Sequence, residues 1–177
     1  MEKFAIPGVG GIIERELYGN YNILIQERCK DDSSIEDGMI EIPAGKIREF
    51  ENIFDCLRRE VHEETGLEVV EIEGEKDSFL IDLNGYRVLS YTPFSCAQNT
   101  GGTYPIMVQV FICKVRGTLL LESEESKNMR WVSIKDLEEL VNNHIEKIYP
   151  MHIGTLRKYL SYRRLLKANS PNVRACE

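Results

Sequence analysis

The sequence predicts an α/β fold in which a mixed β-sheet is covered by helices on both faces. Three observations predict it. Strand-like and helix-like periodicities follow one another as strands, one helix, strands, then two helices. A length of 177 residues, 42% of them hydrophobic, closes one core and falls short of two. No internal repeat divides the chain, so residues 1–166 are expected to form one domain, with 167–177 as a flexible tail.

The elements follow in order. A Gly-interrupted apolar stretch around Ala5–Glu14 and the run YNILIQER at 21–28 read as strands, the second from the alternation of Tyr21, Ile23 and Ile25 with Asn22, Leu24 and Gln26. CKDDSSIEDG is polar and reads as a surface loop. After the extended MIEIPAG comes a helix over 52–65, stopped by Gly66. LEVVEIEG, DSFLIDL, YRVLSYTPF and PIMVQVFICKV return to strand character. WVSIKDLEELVNN reads as a strand end entering a helix capped by Ser133, with Ile134, Leu137, Leu140 and Val141 as its stripe. A last helix is expected from about His152 to Leu166, with Ile153, Leu156, Leu160 and Leu165 inward.

Charge and cysteine usage narrow the function classes. A net charge of −7 disfavours a basic grip on nucleic acid, so a polyphosphate ligand would need a cation as mediator. Five cysteines, Cys29, Cys56, Cys96, Cys113 and Cys176, show neither CxxC spacing nor an even count, which points to free thiols in a reducing compartment. The start of the chain lacks the pattern of a signal peptide, and no run of eighteen apolar residues occurs. A cytoplasmic protein without nucleic-acid or membrane partners is expected.

The segment GKIREFENIFDCLRREVHEETGL, residues 45–67, carries the chemistry. At about 100° per residue, Phe50, Ile53, Phe54, Leu57 and Val61 fall in one arc, the expected buried stripe, with Asp55, Arg58 and His62 opposite. Glu60, Glu63 and Glu64 do neither: they gather beside the stripe, where their mutual repulsion calls for something positive. A solvated acidic patch partly answered by Arg59 is one reading. A hard divalent cation, Mg²⁺ or Mn²⁺, held by oxygen ligands is the other, with Gly45 in the preceding IPAGK loop allowing close approach.

The spacing of Gly45, Glu51, Arg59–Glu60–Val61–His62–Glu63–Glu64–Thr65–Gly66–Leu67 resembles the Nudix box, Gx5Ex7REUxEExGU with U apolar, at every specified position. Seven fixed residues make a chance match on the order of 10⁻⁷ at a given start. The resemblance implies a Nudix-type α/β/α sandwich and hydrolysis of a nucleoside diphosphate linked to another group X. It implies that Glu60, Glu63 and Glu64 bind Mg²⁺ (Mn²⁺ as substitute) and take part in catalysis, that Gly45 joins them through its carbonyl, and that Glu51, Arg59 and Gly66 are structural. Glu125, six residues before Trp131, resembles a further metal-binding or basic residue of some members, with Glu122 and Glu124 nearby. In the family the general base is variously the glutamate matching Glu60 or a later one such as Glu125, so the resemblance implies one or the other.

The PAG entry to the box resembles that of ADP-ribose and sugar-nucleotide hydrolases more than the PGG common among nucleoside triphosphate hydrolases, and this resemblance leans the expected substrate toward ADP-ribose or a sugar nucleotide; the alternatives are nucleoside triphosphates or, in another class, a binding-only nucleotide sensor. The loop CAQNTGGTYP at 96–105, with Tyr91, Phe94 and Tyr104 around it, is suited either to touching a sugar or base or to a plain hairpin connection. His62, His144 and His152 lack metal spacing and are given no role. The apolar stripe of the helix around Leu156–Leu166 is suited equally to a homodimer interface and to packing on its own sheet.

Overall fold

A computed structural model of the chain describes residues 2–29, 35–102, 104–120, 123 and 126–169. Long strands β1 (Ile6–Leu17) and β2 (Asn20–Arg28) form a hairpin, followed by the short β3 (Ile40–Glu41) and β4 (Ala44–Lys46). Helix α1 (Ile53–Thr65) leads into β5 (Glu68–Ile72), a second hairpin of β6 (Phe79–Leu83) and β7 (Tyr86–Ser90), then β8 (Ser95–Gln98), β9 (Ile106–Arg116) and β10 (Ser126–Ser133). Helices α2 (Ile134–Asn143) and α3 (Pro150–Asn169) end the described chain.

The main sheet runs β10-β2-β1-β9-β5, with β3 on β2, β4 on β1 and β8 on β9. β1 and β9 are parallel while the other pairs are antiparallel, so the sheet is mixed, as expected. Its two faces bury separate clusters. Val9, Ile13, Leu24, Phe111 and Cys113 face α1 through Phe54, Leu57 and Val61. Ile12, Ile23, Ile25, Val110 and Ile112 face α2 and α3 through Leu137, Leu156, Tyr159 and Leu160. The result is the α/β/α sandwich.

Glycines in β1 set how close the layers come. A Cβ at Gly11 would stand 3.2 Å from Leu57 Cδ1 of α1, and one at Gly10 would stand 3.2 Å from Ala44 Cβ of β4. This tight packing draws β4 and the start of the carboxylate segment onto the sheet.

Several expectations change. Phe50 is not on the buried stripe: it is 99% exposed at φ +58°, in the turn before α1, because the helix starts at Ile53 behind the cap Asn52, whose Oδ1 accepts from Phe54 N at 2.9 Å. Leu165 is exposed rather than inward, since α3 passes the end of the sheet, and Met151, Thr155 and Tyr159 take the buried positions instead. That helix extends to Asn169, so Lys167–Asn169 of the expected tail are helical; residues 170–177, with Cys176, lie outside the described residues. Within the loop CKDDSSIEDG, residues 30–34 lie outside them too. DSFLIDL and YRVLS are strands, but they pair only with each other, apart from the main sheet. The four described cysteines, Cys29, Cys56, Cys96 and Cys113, are free thiols, and among the described residues no helix is long and apolar enough to cross a membrane.

Candidate active site

The site grows from the junction of β4 and α1. Glu51 folds back on its own loop: its Oε2 accepts from Arg48 N at 2.9 Å, and Arg59, two turns along α1, donates Nε to Oε1 at 2.7 Å and Nη2 to Oε2 at 2.9 Å. This paired fork is the strong form of the carboxylate–guanidinium bond. Arg59 Nη2 also donates to Lys46 O at 3.3 Å, so one side chain joins strand, loop and helix. The Arg59 fork, opposed by partial desolvation and helped by the Arg48 amide, holds the Glu51 carboxyl down to about 2, and Arg59 in turn is pushed above the usual arginine value. Burial, then the neighbouring Glu51, pushes the Cys56 thiol up to about 12, which leaves it protonated and unreactive.

Arg59 is also the counterion of the border carboxylates. Its Nη1 donates to Glu60 Oε1 at 2.6 Å and to Glu63 Oε2 at 3.1 Å. Glu63 is half exposed, with Arg48 at 3.9 Å on its outer side. Glu64 points the other way and is buried: Gln26 of β2 donates Nε2 to its Oε2 at 2.8 Å, and the Ala44 amide reaches the same oxygen at 3.3 Å. The α1 helix therefore hands Glu60 and Glu63 to Arg59 and Glu64 to the sheet. Among the described residues, no three His, Cys, Asp or Glu side chains close into a metal cage. Glu125, with Glu122 and Glu124, lies outside the described residues.

Gly45 explains itself by what it leaves out. A Cβ there would overlap the carboxyl of Glu60 itself. At the far end of α1, Gly66 adopts φ +72° as a left-handed cap, its amide donating to His62 O at 2.9 Å, and a Cβ on it would stand 2.7 Å from Leu120 Cγ. The wet face holds Asp55, Arg58 and His62 as expected, with Arg58 bonded to Glu75 at 2.6 Å.

The chain's Nudix domain model matches over residues 6–151. The chain belongs to the Nudix hydrolase family. As a Nudix protein it is a hydrolase of the pyrophosphohydrolase type. Solved structures agree in fold. A NUDIX hydrolase from Nitrosomonas europaea matches at 17% identity and TM-score 0.62, covering 93% of this chain and 75% of that one. The NUDIX domain of Shewanella oneidensis NrtR, complexed with ADP ribose, matches at 12% identity and TM-score 0.61, covering 93% and 90%. A C. elegans Ap4A hydrolase binary complex matches at 15% identity and TM-score 0.54, covering 90% and 98%. No curated protein matches the chain.

The fold also brings to the box residues that sequence reasoning passed over. Gln26 is wholly buried in β2, and its Oε1 has no hydrogen-bond partner. The signal was available: Gln26 follows the apolar run Ile23–Ile25 and shares the strand face of Leu24, and an amide has no place in a core unless it serves a neighbour. One turn of the pleat further, Arg28 pairs with Glu41 and, at 3.2 Å, with Glu36, and stacks 4.1 Å over the ring of Tyr149. Of the three aromatics considered for base contact, Tyr91 packs on Phe54 and Phe111, and Phe94 on Tyr159 and Tyr162. Tyr104 lies at the start of the box, with the Lys46 ammonium 5.4 Å over its ring, in a hairpin connection held by Asn99 Nδ2 donating to Tyr104 O at 2.8 Å. Residue 103 of that connection lies outside the described residues. His152 is buried and neutral, pushed down to about 3 by burial and by nearby Arg28.

Proposed function

We propose that this Nudix protein hydrolyses the pyrophosphate bridge of a nucleoside diphosphate linked to a second group, with a substrate of the ADP-ribose or sugar-nucleotide kind, in a reaction dependent on Mg²⁺ or Mn²⁺. The observation that carries the reading is the Glu60 carboxyl seated on the side-chain-less Gly45, one helical turn from buried, amide-anchored Glu64. An all-oxygen donor set of this kind suits a hard cation, and Gly45, lacking a Cβ, gives the Glu60 carboxyl its room. Glu60 and Glu64 would hold the ion, with Glu63 on the solvent side and the Gly45 carbonyl as a further oxygen. When bound, such an ion neutralises the bridging phosphates and lowers the pKa of a water ligand.

The protein's own groups do the rest. Gln26 and the Ala44 amide fix the direction of Glu64, and the Glu51–Arg59 fork fixes the loop against the helix. Glu60 or Glu125 takes the proton of the attacking water. Lys46, in the box, and Tyr104 against it would meet the phosphate and base ends of the substrate, a reading supported by the 5.4 Å between the ammonium and the ring. A fold neighbour complexed with ADP ribose supports the substrate lean.

The test is product formation with Mg²⁺ or Mn²⁺ from ADP-ribose, sugar nucleotides, dinucleoside polyphosphates, NADH, coenzyme A and nucleoside triphosphates, resolved by chromatography. Glu60→Gln and Glu64→Gln should each lower turnover by about 10²-fold or more with the fold retained. Wild-type rates in both would refute the assignment, and metal-dependent cleavage of nucleoside triphosphates alone would move the substrate to that class.

A further inference from the structure

The hairpin of β6 and β7 stands apart from the main sheet and exposes an apolar face. Its register puts Phe79 opposite Ser90, Ile81 opposite Val88 and Leu83 opposite Tyr86 on one face, with Leu80–Leu89 and Asp82–Arg87 on the other. The second face is partly used, since Leu89 packs on the α1-side core. The first is not: Phe79, Ile81, Leu83, Tyr86 and Val88 are 59, 42, 62, 73 and 47% exposed. The root is firmly placed, by the Arg58–Glu75 pair at 2.6 Å and by Tyr91 edge-on to Phe54 at 6.0 Å. A two-stranded ribbon with five bare apolar side chains is marginal in water alone.

We propose that this face is the surface through which two copies of the chain pair, ribbon against ribbon about a two-fold axis. Area and charge both favour a second copy as the occupant. At about 200 Å² for a large side chain, the five exposures leave roughly 550 Å² per chain. Two such faces bury roughly 1,100 Å², which clears the approximately 1,000 Å² that a specific interface needs. The face carries no charge, so the −7 of the chain does not oppose the contact locally. By contrast, residues 71–90 hold five carboxylates against Lys76 and Arg87, which disfavours an anionic lipid surface. An isologous contact also asks nothing of any other sequence, because the ribbon meets its own pattern. The α3 helix offers less: Leu156 and Leu160 are spent on its own sheet, leaving Leu165 and Leu166.

Light scattering after gel filtration and sedimentation, across about 1–100 μM, should show the wild type rising with concentration toward twice the chain mass of 20.4 kDa. Ile81→Lys with Val88→Thr keeps strand propensity, places no like charges opposite each other, and should raise the dimer dissociation constant at least tenfold while leaving the circular dichroism spectrum and hydrolytic rate per chain unchanged. Amide exchange of the wild type gives a second reading free of any variant: protection over 79–90 should rise with concentration. A wild type of single-chain mass throughout, a variant dimer as tight as the wild type, or concentration-independent exchange in the hairpin would each overturn the proposal. So would a monomer that sediments with anionic phospholipid vesicles, which would make the face a membrane contact.

Discussion

Gly45→Ala separates the fold of this protein from its chemistry. At the substituted position the new methyl would occupy the space of the Glu60 carboxyl, and nothing in the backbone need move, because the obstructing group is the end of a flexible side chain. Glu60 must therefore swing off β4 and give up its 2.6 Å bond to Arg59. The folding cost is that bond, about 1–2 kcal/mol for a charge-assisted contact near the surface, set against about 0.4–1 kcal/mol gained from a stiffer unfolded chain. For a domain of this size the melting temperature should fall by no more than about 6 °C. The catalytic cost is much larger, since displacing a charged group from its working position by an ångström or more is worth on the order of 10²-fold in turnover. Steady-state kinetics with Mg²⁺ on the best substrate, with Mn²⁺ affinity read by titration calorimetry, should show a loss of about 10²-fold in kcat and weakened Mn²⁺ binding. Gly154→Ala, in open space on α3, is the matched control and should lose nothing. Wild-type kcat and Mn²⁺ affinity in Gly45→Ala would refute the reasoning, because Glu60 could then work from elsewhere.

Phe50→Gly should stabilise the protein: at φ +58° a bulky residue costs about 1–2 kcal/mol, its ring buries almost nothing, and the glycine returns about half of the gain as chain entropy, leaving a melting temperature higher by about 1–4 °C. A lower melting temperature in differential scanning calorimetry would show that the ring has a partner. The Glu51 carboxyl, held down to about 2 by Arg59, contributes stability that is fully present above its unfolded value near 4.5 and is lost as pH falls toward 2. After discounting for solvent, that is about 1–2 kcal/mol. Denaturant unfolding should show wild type and Glu51→Gln separated at pH 6 and converging near pH 2.5; a constant gap would mean that Glu51 acts through packing alone.

What could be read from the sequence was what depends on spacing. The 3.6-residue period placed Asp55, Arg58 and His62 in solvent and Leu57 and Val61 in the core, and the alternation in YNILIQER placed β2. Phe50 was misplaced because a helical wheel drawn through it presumes helical backbone, whereas α1 starts only at Ile53 behind the cap Asn52 and Phe50 takes a left-handed conformation in the preceding turn. The detached β6–β7 ribbon was invisible because strand period says that residues alternate, not which neighbour they pair with. The partners of the carboxylates were out of reach for a related reason: Gln26 and Glu64 are thirty-eight positions apart and meet only because Gln26, like Leu24, points from β2 to the sheet face that α1 covers. Gly45 was singled out, but for close approach of backbone to a ligand; the structure adds that its missing side chain is filled by Glu60.

The three border glutamates are not equivalent, and the difference follows from burial. Glu64 sits where an unpaired charge would cost most, and two fixed donors, the Gln26 amide and the Ala44 N–H, meet it there. Glu63 faces water, which screens it, and its link to Arg59 is the ordinary i, i+4 pair worth a few tenths of a kcal/mol. Glu60 lies between them and shares Arg59 with Glu51 and Glu63, so one guanidinium answers three carboxylates. Arg48, 3.9 Å from Glu63, adds a second cation on the outer side, and a divalent ion that meets Glu60 and Glu64 would be attracted by the carboxylates together. Anchoring runs the same way, from a buried Glu64 with two donors to a half-exposed Glu63. Loss of carboxylate charge should therefore hurt cation binding most at Glu60 and Glu64 and least at Glu63→Gln, an order that a uniformly solvated acidic patch would not produce.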